Sequence, residues 1–191
     1  MALPALWSTL LLRACLVATL LTLPPFSDAA RGETWVLVDT EALTLQVLDG
    51  KGPIAEFKGI SIGRGGVARD KVKGDQRTPL GRYRVAWLNP DSRFRFFIGL
   101  DYPNRAQVER AFRAGDIDVR EKQSILDTLY AGEPPPQDTP LGGFIGIHGL
   151  GQANPDLHAA ANWTEGCIAL TNEQIDRLRR YVRIGTRVVI R

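Results

Sequence analysis

The periodic part of the chain opens with two short apolar runs, Thr34 to Val38 (TWVLV) and Leu43 to Leu48 (LTLQVL). In the second, Leu43, Leu45 and Val47 alternate with Thr44 and Gln46, and Leu48 is the exception. A period of two is that of a half-buried strand. Asp49-Gly50 is a hairpin turn, and the chain returns through Ile54 to Ile62, so the pattern predicts an antiparallel meander. Further strands are expected over Gly81 to Leu88, Arg93 to Leu100, Phe144 to His148, Cys167 to Leu170 and Thr186 to Ile190. Helical spacing occurs in three places. Asn104 to Ala114 is one. Asp118 to Tyr130 is the second, with Val119, Ile125, Leu126 and Leu129 on one face, a cap at Asp116 or Asp118, and Pro134 to Pro136 ending it. Thr171-Asn172-Glu173-Gln174 matches a capping box and opens the third, through Val182. The fold class is therefore mainly β with α excursions (α+β). The first two helices interrupt the strands, so residues 104–130 read as a helical insertion, either a lid near a site or cover for the sheet.

Gly63 to Gly74 (GRGGVARDKVKG) is a glycine-rich basic stretch. It lacks a Gly-Lys-Ser/Thr ending and no helical pattern follows, which argues against a nucleotide cradle and for a mobile loop. Thr78-Pro79 forces extended or turn geometry just before the Gly81 strand.

The first thirty residues differ from the rest. Arg13 precedes the apolar run Ala14 to Leu23, Pro24-Pro25 break it, and small residues lead to Ala29-Ala30. That is the layout of a secretory signal over residues 1–29. The run is short for a membrane span; an uncleaved anchor including Leu3 to Leu12 is the rival. Cys15 stands near the start of the apolar run, with most of the run after it rather than before it, unlike a lipidation site. Cleavage removes Arg13 and Asp28, which leaves the net charge at +3. That is far from the concentrated basic face of a nucleic-acid binder. The remaining 34–191 fits one domain with a sizeable core. Export and the absence of a long span together predict a protein of the periplasm or cell envelope with no stable membrane insertion.

Loss of the leader leaves Cys167 as the only cysteine, so an oxidising compartment offers it no disulfide partner within the chain. Both histidines, His148 and His158, lie within 19 residues of it. A thiol attacks an amide carbonyl usefully only with a base or a positive field at hand. His148, at the end of a strand between Gly146 and Gly149, is the expected base, and two adjacent strands would bring it to Cys167. Gly149 leaves the backbone unhindered there. Gly166 removes a Cβ where substrate must approach, and its backbone N–H is a candidate for the oxyanion hole. His158 is expected to face solvent. A zinc site from Cys167, His148 and His158 lacks close-spaced ligand pairs. Trp163, Thr164 and Tyr83 are candidate substrate contacts, with loop anchoring and strand packing as the plainer readings of Trp163 and Tyr83.

His148-Gly149, a long loop, and then Thr164-Glu165-Gly166-Cys167-Ile168-Ala169-Leu170 resembles the L,D-transpeptidase (YkuD-type) catalytic domain. Gly74-Asp75, Thr78-Pro79-x-Gly81-x-Tyr83 and Tyr102-Pro103-Asn104 are similar to further segments of that family, in the same order, over residues 34–191. The resemblance implies a single domain of mixed, β-sandwich-like sheet, with Cys167 as nucleophile, His148 as proton donor and acceptor, and no metal or organic cofactor. It implies a peptidoglycan stem tetrapeptide as donor, cut before its terminal D-alanine. The acyl group then passes to an amine, in wall cross-linking or attachment of a protein to the wall. Hydrolysis by water in place of the amine, as in an L,D-carboxypeptidase, and a non-catalytic wall-binding module are the alternatives. Two positions depart from the family pattern: Glu165 stands where it has histidine, and Ala169 where it has arginine.

Overall fold

A computed structural model describes residues 33–191; the expected leader over 1–29 lies outside the described residues. The alternation seen in the sequence becomes alternation of burial. Strands β1 (Trp35–Asp39) and β2 (Thr44–Asp49) pair antiparallel with Val36 opposite Val47 and Val38 opposite Leu45, all four fully buried. The Asp49-Gly50 turn leads into β3 (Gly52–Lys58), completing the meander.

The rest of the chain adds β4 (Val67–Ala68), β5 (Thr78–Pro79), β6 (Gly81–Asn89), β7 (Phe97–Leu100), α1 (Arg105–Ala114), α2 (Val119–Tyr130), β8 (Gly146–His148), α3 (Pro155–Ala160), β9 (Ile168–Ala169), α4 (Asn172–Leu178) and β10 (Arg187–Ile190). The main sheet has eight strands in the order β3-β2-β1-β10-β6-β7-β8-β9. It is mixed: β1 with β10 and β8 with β9 run parallel, the other pairs antiparallel. Beyond β3, Ser61 exchanges two backbone hydrogen bonds with Ala169 of β9, at 3.0 and 2.8 Å. The two ends of the sheet are thereby tied together, and the sheet must curl around its core. Ile98, Leu100, Ile147, Ile168, Leu170, Ile175 and Val188 fill that core without exposure. Each such side chain contributes about 1.5–3 kcal/mol by leaving water.

The helical insertion forms a second cluster, where Val108, Ala111, Ile117, Ile125 and Leu126 pack with Leu141. Asn104 and Asp118 cap α1 and α2 with full capping boxes. Val119 is 64% exposed and leaves the apolar face expected of it, because it is the first residue of its helix.

Four further expectations change. The strand placed over Arg93 to Leu100 begins only at Phe97, because Arg95 takes a left-handed φ of 74° that ends extended pairing. The Gly63 to Gly74 stretch is held rather than free. Val67–Ala68 pairs with Thr78–Pro79, Lys73 donates to the Pro140 carbonyl, and Lys71 is buried on Asp75. The helix from Thr171 keeps its capping box and stops at Leu178 instead of Val182. An unforeseen helix, α3, is capped by Asn154 with Pro155 at its first turn.

Candidate active site

The β8·β9 pairing decides the site. The two strands run parallel with Ile147 opposite Ile168 and His148 opposite Ala169, so Cys167, one residue before β9, stands beside the strand that ends in His148. Both side chains line one groove of about 1210 Å³, with Trp87, Phe94, Phe97, Trp163 and Phe144 among its walls.

His148 is buried, 2% exposed. Phe94 stacks on its ring at 4.3 Å between centroids, and Trp163 meets it edge-on at 6.0 Å. Its Nδ1 lies 2.6 Å from the Gly149 carbonyl. A carbonyl only accepts, so Nδ1 carries the proton and Nε2 keeps the lone pair that a general base needs. Burial pushes the imidazole down to about 4, against the Gly149 carbonyl, which favours the charged ring; the charges of His158 and Arg93 lower it further. Cys167 donates from Sγ to the Phe144 carbonyl at 3.1 Å. Burial pushes this thiol up to about 11, against the Gly146 backbone N–H and the Lys71 charge, while Glu165 adds to the rise. The resting pair at neutral pH is thus a neutral thiol and a neutral imidazole. Chemistry then requires that proton transfer to Nε2 accompany attack.

The glycines serve packing. A Cβ at Gly149 would fall 2.7 Å from Ile175 and 2.8 Å from the Phe94 carbonyl, and at Gly146 2.5 Å from the Ile98 carbonyl. Gly166 takes φ 132°, and a Cβ there would lie 2.7 Å from the Arg77 carbonyl. So protein, and not substrate, crowds these three positions. Thr164 braces the turn: its Oγ1 donates to the Cys167 carbonyl at 2.7 Å and accepts from the Gly166 N–H at 3.2 Å. In this conformation the Gly166 N–H is engaged, and an oxyanion role for it requires that bond to open.

Two side chains sit elsewhere than expected. Tyr83 is 2% exposed, its hydroxyl receiving a bond from Gln107 and donating toward the Pro79 and Leu80 carbonyls. It is a core residue away from the groove and has no surface for substrate. His158 does not face solvent; it is buried in α3, where its Nδ1 accepts from the Trp163 indole N–H at 3.2 Å. Trp163 therefore both lines the groove and anchors its loop, with its backbone N–H on Ser61. Burial lowers His158 below the usual histidine range, against the Gly59 carbonyl.

Glu165 points outward, its side chain 83% exposed and 3.6 Å from Arg64. Ala169 is fully buried. Among the described residues no group of three or more His, Cys, Asp or Glu side chains is placed to hold a metal ion. None of the residues of α1 or α2 lines the groove, which favours cover for the sheet over a lid. Phe94, Arg93 and Lys71 do line it. The first two were hidden by a strand placed too early, and Lys71 by the glycines around it.

A half-buried thiol just before β9 and a buried imidazole at the end of β8, lining one groove, are the parts that a cysteine nucleophile and its base would need. Residues 33–190 match the model of the YkuD L,D-transpeptidase catalytic domain, and the chain belongs to that family. The fold is shared with Bdellovibrio bacteriovorus Bd1075, at 18% identity and a TM-score of 0.55 over 86% of this chain and 50% of that one. It is shared too with the helical cell shape determining protein Pgp2 of Campylobacter jejuni, at 23% identity and 0.54 over 83% and 47%. An Enterococcus faecium L,D-transpeptidase aligns at 15% identity and 0.50 over 84% and 50%. The chain spans about half the length of these structures. A search of curated protein sequences finds no match.

Proposed function

We propose that this protein is a peptidoglycan L,D-transpeptidase of the cell envelope, reached through the leader at residues 1–29. The observation that carries the reading is that Cys167, just before β9, and His148, at the end of the neighbouring strand β8, line one groove. The Cys167 sulfur attacks the carbonyl of the third residue of a stem tetrapeptide while His148 Nε2 takes its proton. The carbon–nitrogen bond to the terminal D-alanine then breaks, and His148 returns the proton to the leaving amine. An acceptor amine attacks the resulting thioester, loses its proton to His148, and frees the thiol. The acceptor is a second stem peptide or a wall-attached protein. Water in its place makes the same site a carboxypeptidase, since the two outcomes differ only in what resolves the thioester.

Intact mass spectrometry of the protein mixed with a stem tetrapeptide tests the first half-reaction. The expected result is an adduct equal to the donor less D-alanine, mapped to Cys167 and absent in Cys167→Ala. A wild-type protein that gains no mass and releases no D-alanine would overturn the proposal.

A further inference from the structure

The glycine-rich stretch between β3 and β5 places a charge that the chemistry above does not use. Lys71 is 6% exposed, and its side chain 4%, in a chain position that lines the same groove as Cys167 and His148. Lysine is among the residues least often buried. Its ammonium donates to Asp75 Oδ1 at 2.6 Å and to the Val72 carbonyl at 3.2 Å. An ammonium has three N–H bonds, so one donor stays without a protein acceptor among the described residues.

The cation is also fixed in place. Asp75 accepts from the Val72 and Arg77 backbone N–H groups, each at 3.0 Å. Burial works to raise that carboxyl, but Lys71 and the two N–H groups outweigh it and hold it below the usual range. Gly142 closes over the lysine, with its Cβ direction 3.8 Å from Lys71 Cε. The lysine charge is felt at the sulfur, where it favours thiolate. A buried ion pair is poor value as a stabiliser, because desolvation cancels most of its attraction. At the wall of a binding groove the same pair has another use: a desolvated ammonium with a spare donor suits an anion.

Position 169 is alanine, fully buried and bonded through its backbone to Ser61, so that strand brings no charge to the groove. We propose that Lys71 binds the free carboxylate of the donor peptide's terminal residue and so selects donors that end at that residue. This rests on the proposed function and names what its donor site recognises. The carboxylate of the leaving residue lies one residue beyond the scissile carbonyl, so a cation that lines the same groove as the sulfur is placed to address it. A charge-assisted hydrogen bond in a desolvated site is the strong kind.

The test compares two donors on the full chain: a stem tetrapeptide with a free terminal carboxylate, and the same peptide ending in an amide. Release of the terminal residue is followed for wild type, Lys71→Arg and the pair variant Lys71→Met/Asp75→Asn, which leaves no buried carboxylate unpaired. The expected result is a preference of about 10–100-fold for the free carboxylate in wild type, carried by KM. The pair variant should lose that preference, and Lys71→Arg should keep part of it. A near-ultraviolet circular dichroism spectrum and melting temperature close to those of wild type in each variant show that the site remains folded. A folded pair variant that keeps the wild-type ratio overturns the role of Lys71 while leaving the transpeptidase reading intact. A wild type that turns over neither donor overturns both.

Discussion

The resting sulfur should be a thiol throughout the neutral range, and the perturbation that exposes this is pH. Burial holds Cys167 up at about 11. An ordinary cysteine titrates near 8.5, so at neutral pH the thiolate fraction of Cys167 should be lower by roughly 300-fold. Second-order alkylation by iodoacetamide reads that fraction directly. The chain carries one other cysteine, Cys15, which is replaced by serine for the assay. The rate should be about 300-fold below that of a free thiol at pH 7, and should rise about tenfold per pH unit with no plateau below pH 10. His148→Ala should leave this profile within a factor of a few, because a neutral imidazole lends the sulfur no charge. A plateau below about pH 8 would refute the reasoning. So would a profile displaced upward by several pH units in His148→Ala, since that is the mark of a resting thiolate–imidazolium pair.

Three other outcomes follow from the same geometry. His148→Ala should lower kcat for D-alanine release by about 10²–10⁴-fold with the near-ultraviolet circular dichroism unchanged, as expected when a general base is lost. Acid should destabilise the fold through the same residue. His148 titrates near 4 when folded and near 6.5 when unfolded, so its contribution is complete above pH 6.5 and fades as pH falls toward 4. The loss is up to about 3 kcal/mol, read as the difference between urea midpoints of wild type and His148→Gln across that window. Gly149→Ala should cost about 1–3 kcal/mol by driving a methyl into Ile175 and the Phe94 carbonyl, measured by thermal unfolding; an unchanged melting temperature would show that the neighbours give way freely.

Much of the fold is legible because it is written in local signals. The alternation of Leu45 and Val47 with Thr44 and Gln46, the Asp49-Gly50 turn and the Thr171–Gln174 capping box each carry their own geometry, while Leu43, with a left-handed φ of 49°, falls just outside the strand. That Cys167 and His148 line one groove was legible for another reason: a chain with so few chemically able side chains leaves few combinations. What escaped depends on contacts distant in sequence. His158 reads as a solvated loop residue until Trp163 folds over it. Tyr83 is drawn into the core by Gln107 of α1, 24 residues away. Arg95 breaks an apolar run by adopting φ 74° and reaching Asp176 on α4. Lys71 looked like one of several loop cations, and only the Asp75 carboxylate, four residues on, makes it a buried one.

The protein incubated with purified peptidoglycan, with Cys167→Ala beside it, gives the most direct test of the central claim. Muropeptides released afterwards and resolved by mass spectrometry report the bonds made and broken. The expected result is new dimers linked between third-position residues, together with loss of terminal D-alanine, both absent with Cys167→Ala. The same muropeptide profile from wild type and mutant would contradict it.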